Sequence, residues 1–297
     1  MLISLSANSS WYLYNFRFNL VQSLIDEGHE IALVAPDDQH SNALVRLGCS
    51  FFLVPLDSKG MNPLNESKSL FSYLSLYRKI KPDVALHFTI KPIIYGSLAS
   101  MFLGIPSINT VTGLGTGFLS GRTIRLLTSK LLKVALCRSN ATVFQNESDR
   151  SLFLAQGIVS SNSCFVVSGS GVDLNYFSLT DYSESISSSF LLASRLLWDK
   201  GVGEFVEAAT LIKQRGLQAR FILAGPIGVA NRTAIPEETI DGWCEKGIVE
   251  YWGVLTDIRA SIASAACVVL PSYREGLSRI LIEACSMGRP IISTDVP

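Results

Sequence analysis

Two glutamates, Glu275 and Glu283, form the strongest chemical signal in the sequence. They bracket the segment EGLSRILIE, which follows the apolar run ACVVLPS. This pattern predicts a strand that leads through a short loop into a helix, with Glu275 near the helix start. Both carboxylates can then face the crevice at the carboxyl ends of the strands, where open α/β sheets bind ligands. Considered alone, the same pattern would also be explained without a ligand, by one glutamate that caps the helix and one that is exposed to solvent.

Two cations, Arg195 and Lys200, lie in the segment SRLLWDKGVGEF between another predicted strand and its helix. Basic side chains held at a strand end can neutralise a diphosphate leaving group without a metal ion. A solvated basic pair beside Asp199 and Glu204 is the structural alternative.

A glycine-bearing loop follows a third strand and contains Thr112, Gly113 and Gly115. Glycines there allow a ligand to approach the backbone closely, although this spacing alone is a weak signal. The sequence lacks G-x-G-x-x-G after its first strand, lacks D-x-D, and does not space its histidines as metal ligands. It therefore predicts neither a classical NAD site nor a metal site. His87 is expected to end the strand PDVALHF and to face the same crevice.

The elements that must position these residues alternate between short apolar strands and longer amphipathic helices. This rhythm predicts a mostly parallel sheet covered by helices on both faces. It stops in the polar, serine-rich stretch 169–189 and then restarts, which predicts two doubly wound α/β domains, 1–178 and 179–297. The second domain is expected to be incomplete, because its last strand lacks following helices. A naturally short domain, capped by its own helices or by a partner, is the alternative.

Composition narrows the class of protein. The 297 residues are 48% hydrophobic and 17% charged, with 25 basic residues against 25 acidic ones. Such a chain can bury a large core, and its zero net charge argues against a general nucleic-acid binder. Six singly placed cysteines, no recognisable signal peptide and no long uninterrupted apolar run predict a reduced, cytoplasmic protein without a transmembrane helix.

Taken in chain order, GSGVDLNYF, SRLLWDKGVGEF and EGLSRILIEACSMGRPIISTDVP resemble the family-4 retaining glycosyltransferases. The resemblance implies the GT-B fold, in which two Rossmann-like domains face a central cleft. NSSWYLYNFR, HFTIKPIIYGSLAS, INTVTGLGTGF and VFQNESDRSLF resemble a bacterial subgroup that adds sugars to undecaprenyl-diphosphate-linked acceptors. The resemblance covers nearly the whole chain.

The resemblance also implies a role for each matching residue. Glu275 would contact the donor sugar, and Glu283 would accept hydrogen bonds from the nucleotide ribose. Arg195 and Lys200 would hold the diphosphate. The backbone N–H groups that meet the same phosphates would come from Gly276 and Leu277. The acceptor would lie on the first domain against Thr112, Gly113, Gly115, Lys91 and His87. Many members carry a histidine where this sequence has Thr112.

The expected activity is transfer of a hexose or N-acetylhexosamine from a UDP-sugar to a polyprenyl-diphosphate glycan. The resemblance implies retention of configuration, no cofactor, and a place at the inner face of the bacterial cytoplasmic membrane during capsule or O-antigen assembly. The basic amphipathic segment Thr123–Cys137 would meet anionic lipid through Lys130 and Lys133, with Leu126, Leu127, Leu131 and Leu132 as its apolar face. A helix whose leucines face the core fits equally well. The functional alternatives are a UDP-sugar 2-epimerase and a catalytically impaired, truncated UDP-binding protein.

Overall fold

The computed structural model describes residues 1–56, 62–113, 122–182, 188–229, 231 and 233–296. Its internal contacts divide the chain into two units, Met1–Ser170 and Gly171–Pro297. The boundary expected from the sequence, after residue 178, lies slightly later in the chain. Each of them, unit 1 (Met1–Ser170) and unit 2 (Gly171–Pro297), has its own parallel sheet.

The described part of unit 1 contains a parallel sheet of seven strands in the order β3-β2-β1-β4-β5-β6-β7. The strands are β1 Leu2–Ser6, β2 Glu30–Ala35, β3 Ser50–Leu53, β4 Val84–Phe88, β5 Ser107–Val111, β6 Ala141–Phe144 and β7 Cys164–Val166. The chain moves outward from β1 to β3 and then crosses to β4 on the other side of β1. The topological switch point, where such sheets bind ligands, therefore lies between β1 and β4.

The helices of unit 1 pack on both faces of this sheet. They are α1 Ser10–Asp26, α2 Ser41–Arg46, α3 Pro63–Ile80, α4 Ile90–Leu103, α5 Arg122–Leu136 and α6 Glu147–Ala155. Ser9 caps α1 by accepting a hydrogen bond from the Tyr12 N–H at 3.1 Å, which fixes where the chain leaves β1. Leu5 and Leu33 are fully buried in the apolar layer beneath α1.

Unit 2 repeats the scheme with five parallel strands in the order β10-β9-β8-β11-β12 among its described residues. The strands are β8 Ser189–Ala193, β9 Arg220–Ala224, β10 Glu250–Tyr251, β11 Cys267–Leu270 and β12 Ile291–Ser293. The helices are α7 Val202–Gln214, α8 Glu237–Glu245, α9 Arg259–Ser264 and α10 Arg279–Ser286. The switch point of this sheet lies between β8 and β11.

The predicted architecture of two doubly wound α/β units with parallel sheets is confirmed. The edge strand β12 exposes Ile291 and Ile292. The expectation that the second domain is incomplete stays a prediction. Across the described ranges, no helix combines the length and the hydropathy that a membrane span requires.

Candidate functional site

Two loops meet at the switch point of unit 2, one after β8 and one after β11. The Tyr273 N–H donates to the Asp199 carbonyl at 3.1 Å and joins them directly. Gly201 has a φ of 74°, and a Cβ at this position would lie 2.1 Å from the Pro271 carbonyl oxygen. Only glycine therefore lets the loops approach this closely.

Lys200 and Glu275, which the sequence separates by 75 residues, form an ion pair between these loops. Lys200 Nζ lies 2.5 Å from Glu275 Oε1, and Ser272 Oγ donates to the same oxygen at 2.7 Å. The two charged side chains are only 16% and 23% exposed. Partial burial strengthens their attraction relative to a surface pair. The structure thus brings together two of the predicted catalytic residues.

Arg195 lies on the same loop as Lys200, directly after β8, and its side chain is exposed. It forms no ion pair with the residues that the structure describes. Gly225, at the end of β9, has a φ of 132°, and a Cβ there would lie 1.9 Å from the Ser194 carbonyl oxygen. The glycine therefore lets the loop that carries Arg195 lie against the neighbouring strand end.

Glu283 lies in the second turn of α10, and its side chain is only 9% exposed. Burial raises the pKa of this carboxyl, while Arg279, whose Nε donates to Glu283 Oε1 at 2.6 Å, lowers it. The second glutamate therefore pairs within its own helix. Gly276 and the part-exposed Leu277 lie in the loop that enters α10.

Sequence reasoning missed Ser272, which is 1% exposed and holds Glu275. Its carbonyl accepts a hydrogen bond from Thr294 Oγ1, in the segment after β12. The sequence does contain an indication of this contact, because a serine at the end of a strand and three residues before a glutamate can reach the carboxylate. Across the described ranges, no three His, Cys, Asp or Glu side chains form a group that could hold a metal ion.

The predicted acceptor residues of unit 1 have different surroundings. Thr112 and Gly113 directly follow β5, and Gly113 has a φ of 134°, whereas Gly115 lies outside the described residues. Lys91, in the first turn of α4, pairs with Glu66 of α3. Its positive charge is therefore already compensated within unit 1.

His87 does not face an open crevice, and this expectation is wrong. Its side chain is fully buried, with Nε2 3.0 Å from the Tyr77 hydroxyl and Nδ1 2.9 Å from Asn109 Oδ1. Burial lowers the pKa of His87 to about 4, so the ring is neutral at pH 7. A Cβ at Gly96 would lie 2.4 Å from the ring, which shows how closely α4 covers it. A central parallel strand is buried on both faces, so neither face was open to His87.

The apolar face expected on α5 is divided in the structure. Leu126 and Leu127 are exposed beside the exposed Lys130 and Lys133. Leu132 is fully buried, and the partly buried Leu131 packs against the same core. The expectation that all four leucines form one outward face is therefore wrong.

Two family models match the chain, one in each unit. The model described as "Glycosyl transferase 4-like" matches residues 2–146. The model described as "Glycosyl transferases group 1" matches residues 187–297. Together they include β1 and β4 of unit 1 and the whole described site of unit 2.

Two bacterial relatives show the same similarity over longer alignments. One is the N,N'-diacetylbacillosaminyl-diphospho-undecaprenol alpha-1,3-N-acetylgalactosaminyltransferase of Campylobacter jejuni, 26% identical over 99% of this chain and 81% of the relative. The other is the UDP-Gal:alpha-D-GlcNAc-diphosphoundecaprenol alpha-1,3-galactosyltransferase of Escherichia coli. It is 26% identical over 82% of this chain and 66% of its own length.

Solved structures share the fold at low identity. Anabaena Alr3699/HepE in complex with UDP-glucose superposes with a TM-score of 0.77 at 16% identity, covering all of this chain and 81% of that one. A UDP-N-acetylglucosamine 2-epimerase reaches 0.65 at 14% identity, covering all of this chain and 80% of that one. The structures that share the fold thus include an epimerase, whereas the family models name glycosyl transferases in both units. The chain has the GT-B fold, and its two units match two glycosyl transferase families, the glycosyl transferase 4-like family in the first unit and the glycosyl transferases group 1 family in the second.

Proposed function

We propose that this protein transfers a hexose or N-acetylhexosamine from a UDP-sugar to a polyprenyl-diphosphate-linked saccharide in bacterial polysaccharide assembly. The single observation that carries the proposal is the Lys200–Glu275 pair at the switch point of unit 2, within the group 1 match. The names of the two bacterial relatives, which act on undecaprenol-linked sugars, support the acceptor class.

On the donor side, Lys200 and Arg195 supply positive charge to the departing diphosphate. The ammonium of Lys200 has three N–H donors, and one of them points to Glu275. The others can meet phosphate oxygens, while the exposed Arg195 approaches from the same loop. Negative charge grows on the leaving group in the transition state, so each cation contributes more to turnover than to binding.

One carboxylate oxygen of Glu275 accepts hydrogen bonds within the protein, and the other can accept one from a ligand. Lys200 and Ser272 both donate to Oε1, and no described residue donates to Oε2. In the proposed complex, Oε2 accepts a hydrogen bond from a hydroxyl of the donor sugar. A carboxylate fixed in this way orients the sugar without rearranging, which lowers the entropic cost of reaching the reactive geometry.

Glu283 accepts hydrogen bonds from the ribose hydroxyls in this proposal. The ionised carboxylate accepts these bonds more strongly than the neutral carboxyl, and burial disfavours the ionised form whereas Arg279 supports it. Arg279 is thus a positioning residue that favours the charged form of the nucleotide-binding carboxylate.

Retention of configuration and independence from metal ions are further parts of the proposal. The cationic pair Arg195–Lys200 can stabilise the diphosphate itself, as divalent cations do in other transferases. We expect NMR of the product to show the anomeric configuration of the donor. We also expect EDTA to leave the initial rate unchanged, and a lost rate restored by Mg²⁺ would contradict metal independence.

Peripheral contact with the inner face of the cytoplasmic membrane would bring the enzyme to its lipid-linked acceptor. The exposed Leu126 and Leu127, with Lys130 and Lys133 on the same helix, support contact with anionic lipid. We expect the protein to co-sediment with vesicles rich in phosphatidylglycerol at low salt but not at high salt. A Lys130→Glu/Lys133→Glu variant that sediments equally well would refute this contact.

The decisive experiment incubates the full chain with a panel of UDP-sugars and a short polyprenyl-diphosphate saccharide. Sugar transfer to the lipid supports the proposal. Formation of a 2-epimer without acceptor would favour the epimerase alternative, since that fold neighbour binds a UDP-sugar of the same kind. UDP binding without turnover of any donor would favour a catalytically impaired protein.

A further inference from the structure

Arg17, on α1, carries a buried positive charge. The residue is 8% exposed, and its Nη2 donates to the Tyr12 hydroxyl at 3.0 Å. Its Nε is buried and has no hydrogen-bond partner in the part of the chain that the structure describes. No carboxylate of the described ranges pairs with it.

This charge lies at the switch point of unit 1. The guanidinium carbon is 4.3 Å from the centroid of the Phe88 ring, and Phe88 is the last residue of β4. The helix that carries Arg17 follows β1, the other strand of the switch point. The two strand-end loops are joined there, because the Asn8 N–H donates to Thr89 Oγ1 at 3.2 Å.

The backbone at this point is also strained. Thr89 has a φ of 68° and a ψ of 153°, a positive-φ conformation that is a genuine outlier for a β-branched residue. Such outliers concentrate at ligand-binding sites, where the surrounding structure holds them in place. The strain and the unpaired charge are independent observations at the same strand ends.

The unpaired charge is costly for folding. Desolvating a cation is expensive, and stacking on the Phe88 ring returns only part of that cost. An apolar side chain of similar length would therefore serve packing at least as well. A guanidinium retained at the ligand-binding edge of the sheet suggests an anion that completes its hydrogen bonds.

We infer that Arg17 binds the diphosphate of the lipid-linked acceptor. This inference rests on the proposed function, which involves two diphosphates. Arg195 and Lys200 receive the donor's diphosphate in unit 2, whereas Lys91, the basic residue predicted for the acceptor, is paired with Glu66. The planar guanidinium can donate to two phosphate oxygens at once.

The first test separates a binding role from a packing role. We expect Arg17→Met in the full chain to unfold at the same temperature as the unaltered protein or higher, because it removes an unpaired buried charge. Arg46→Met, at an exposed arginine of α2, is the matched control. A lower unfolding temperature for Arg17→Met alone, with unchanged anion binding, would show a packing role and overturn the inference.

The second test measures anion binding directly with inorganic pyrophosphate. The background is an Arg195→Ala/Lys200→Ala variant, so that binding at the donor site is removed. We expect pyrophosphate to raise the unfolding temperature of this background and not of the same background carrying Arg17→Met. Stabilisation by phosphatidylglycerol vesicles, but not by pyrophosphate, would point to a lipid headgroup and overturn the assignment.

The third test uses the reaction. We expect Arg17→Met to raise the KM for the polyprenyl-diphosphate acceptor by about ten- to a hundredfold, with the KM for the UDP-sugar unchanged. Arg17→Lys should recover part of the loss. An unchanged acceptor KM during active transfer would overturn this inference alone. If the unaltered protein transfers no sugar while pyrophosphate still binds through Arg17, the anion site stands and the proposed function fails.

Discussion

Replacement of Glu275 by glutamine tests the assigned donor site with the smallest change in volume. The amide oxygen of the new side chain can still accept hydrogen bonds from Lys200 and Ser272, at the position of Oε1. The position of Oε2 becomes an NH₂ group, which donates and cannot accept a hydrogen bond from a sugar hydroxyl. The loops should therefore keep their geometry while the proposed contact with the donor is lost.

The magnitude follows from the kind of interaction removed. A charged hydrogen bond that strengthens in the transition state is worth about 2–4 kcal/mol, which corresponds to roughly 30- to 1000-fold in kcat. The effect on folding should be smaller. Lys200 and Glu275 each keep some solvent exposure, so the lost attraction should cost about 1 kcal/mol of unfolding free energy.

The assay records the initial rate of UDP release in the presence of acceptor, together with the thermal unfolding midpoint. Glu147→Gln is the matched control, since Glu147 is a 62% exposed glutamate of unit 1 that also pairs with a basic side chain, Arg150. We expect the control to retain its rate. A folded Glu275→Gln protein that transfers sugar at the unaltered rate would refute the role given to Glu275.

Three further predictions use other buried groups. Ser272→Ala should lower kcat about tenfold while UDP affinity, measured by calorimetry, stays constant, and an equal loss of UDP affinity would contradict a positioning role. Arg279→Met should raise the pKa of Glu283 further, so the pH below which UDP affinity falls should move upward; a pH profile identical to that of the unaltered protein would exclude this role. His87 has a pKa of about 4 when folded against 6.5 as its ordinary value, so the unfolded chain binds more protons between these pH values. The free energy of unfolding, measured with urea, should therefore fall by up to about 3 kcal/mol as the pH drops from 7 to 4. In His87→Gln this contribution to the pH dependence should be absent.

The sequence predicted the fold well because parallel sheets leave a clear pattern. Strands such as β2, buried on both faces, must be apolar almost throughout, and the connections between them must be helical. The place of the proposed donor site was also predictable, since the strand order puts the ends of β8 and β11 side by side. Arg195, Lys200 and Glu275 follow those two strand ends. Knowing which strands are neighbours was therefore enough to predict that these residues, distant in the sequence, lie close together.

Individual side-chain environments were not predictable in the same way. The strand that carries His87 was recognised, but its burial depends on α4 approaching so closely that Gly96 faces the ring. Lys91 was assigned to a ligand because nothing local indicates that Glu66, on another helix, neutralises it. The periodicity of α5 showed that its leucines recur, but not that Leu132 faces the core while Leu127 is exposed. Each outcome depends on contacts between elements that no local pattern contains.

The basic residue at one switch point has an acidic partner, whereas the basic residue at the other has none among the described residues. The proposed reaction gives a reason for this difference. In unit 2, Lys200 has an internal partner, Glu275, which it keeps when UDP departs. A cation that has its own partner is appropriate for binding a leaving group, because release of the product then leaves no unpaired charge in a buried position. In unit 1, Arg17 has no such partner among the described residues. The acceptor's diphosphate keeps its charge throughout the reaction, so Arg17 binds the ground state and the transition state equally. Its loss should therefore appear in the acceptor KM and not in kcat, whereas loss of Lys200 should appear in kcat.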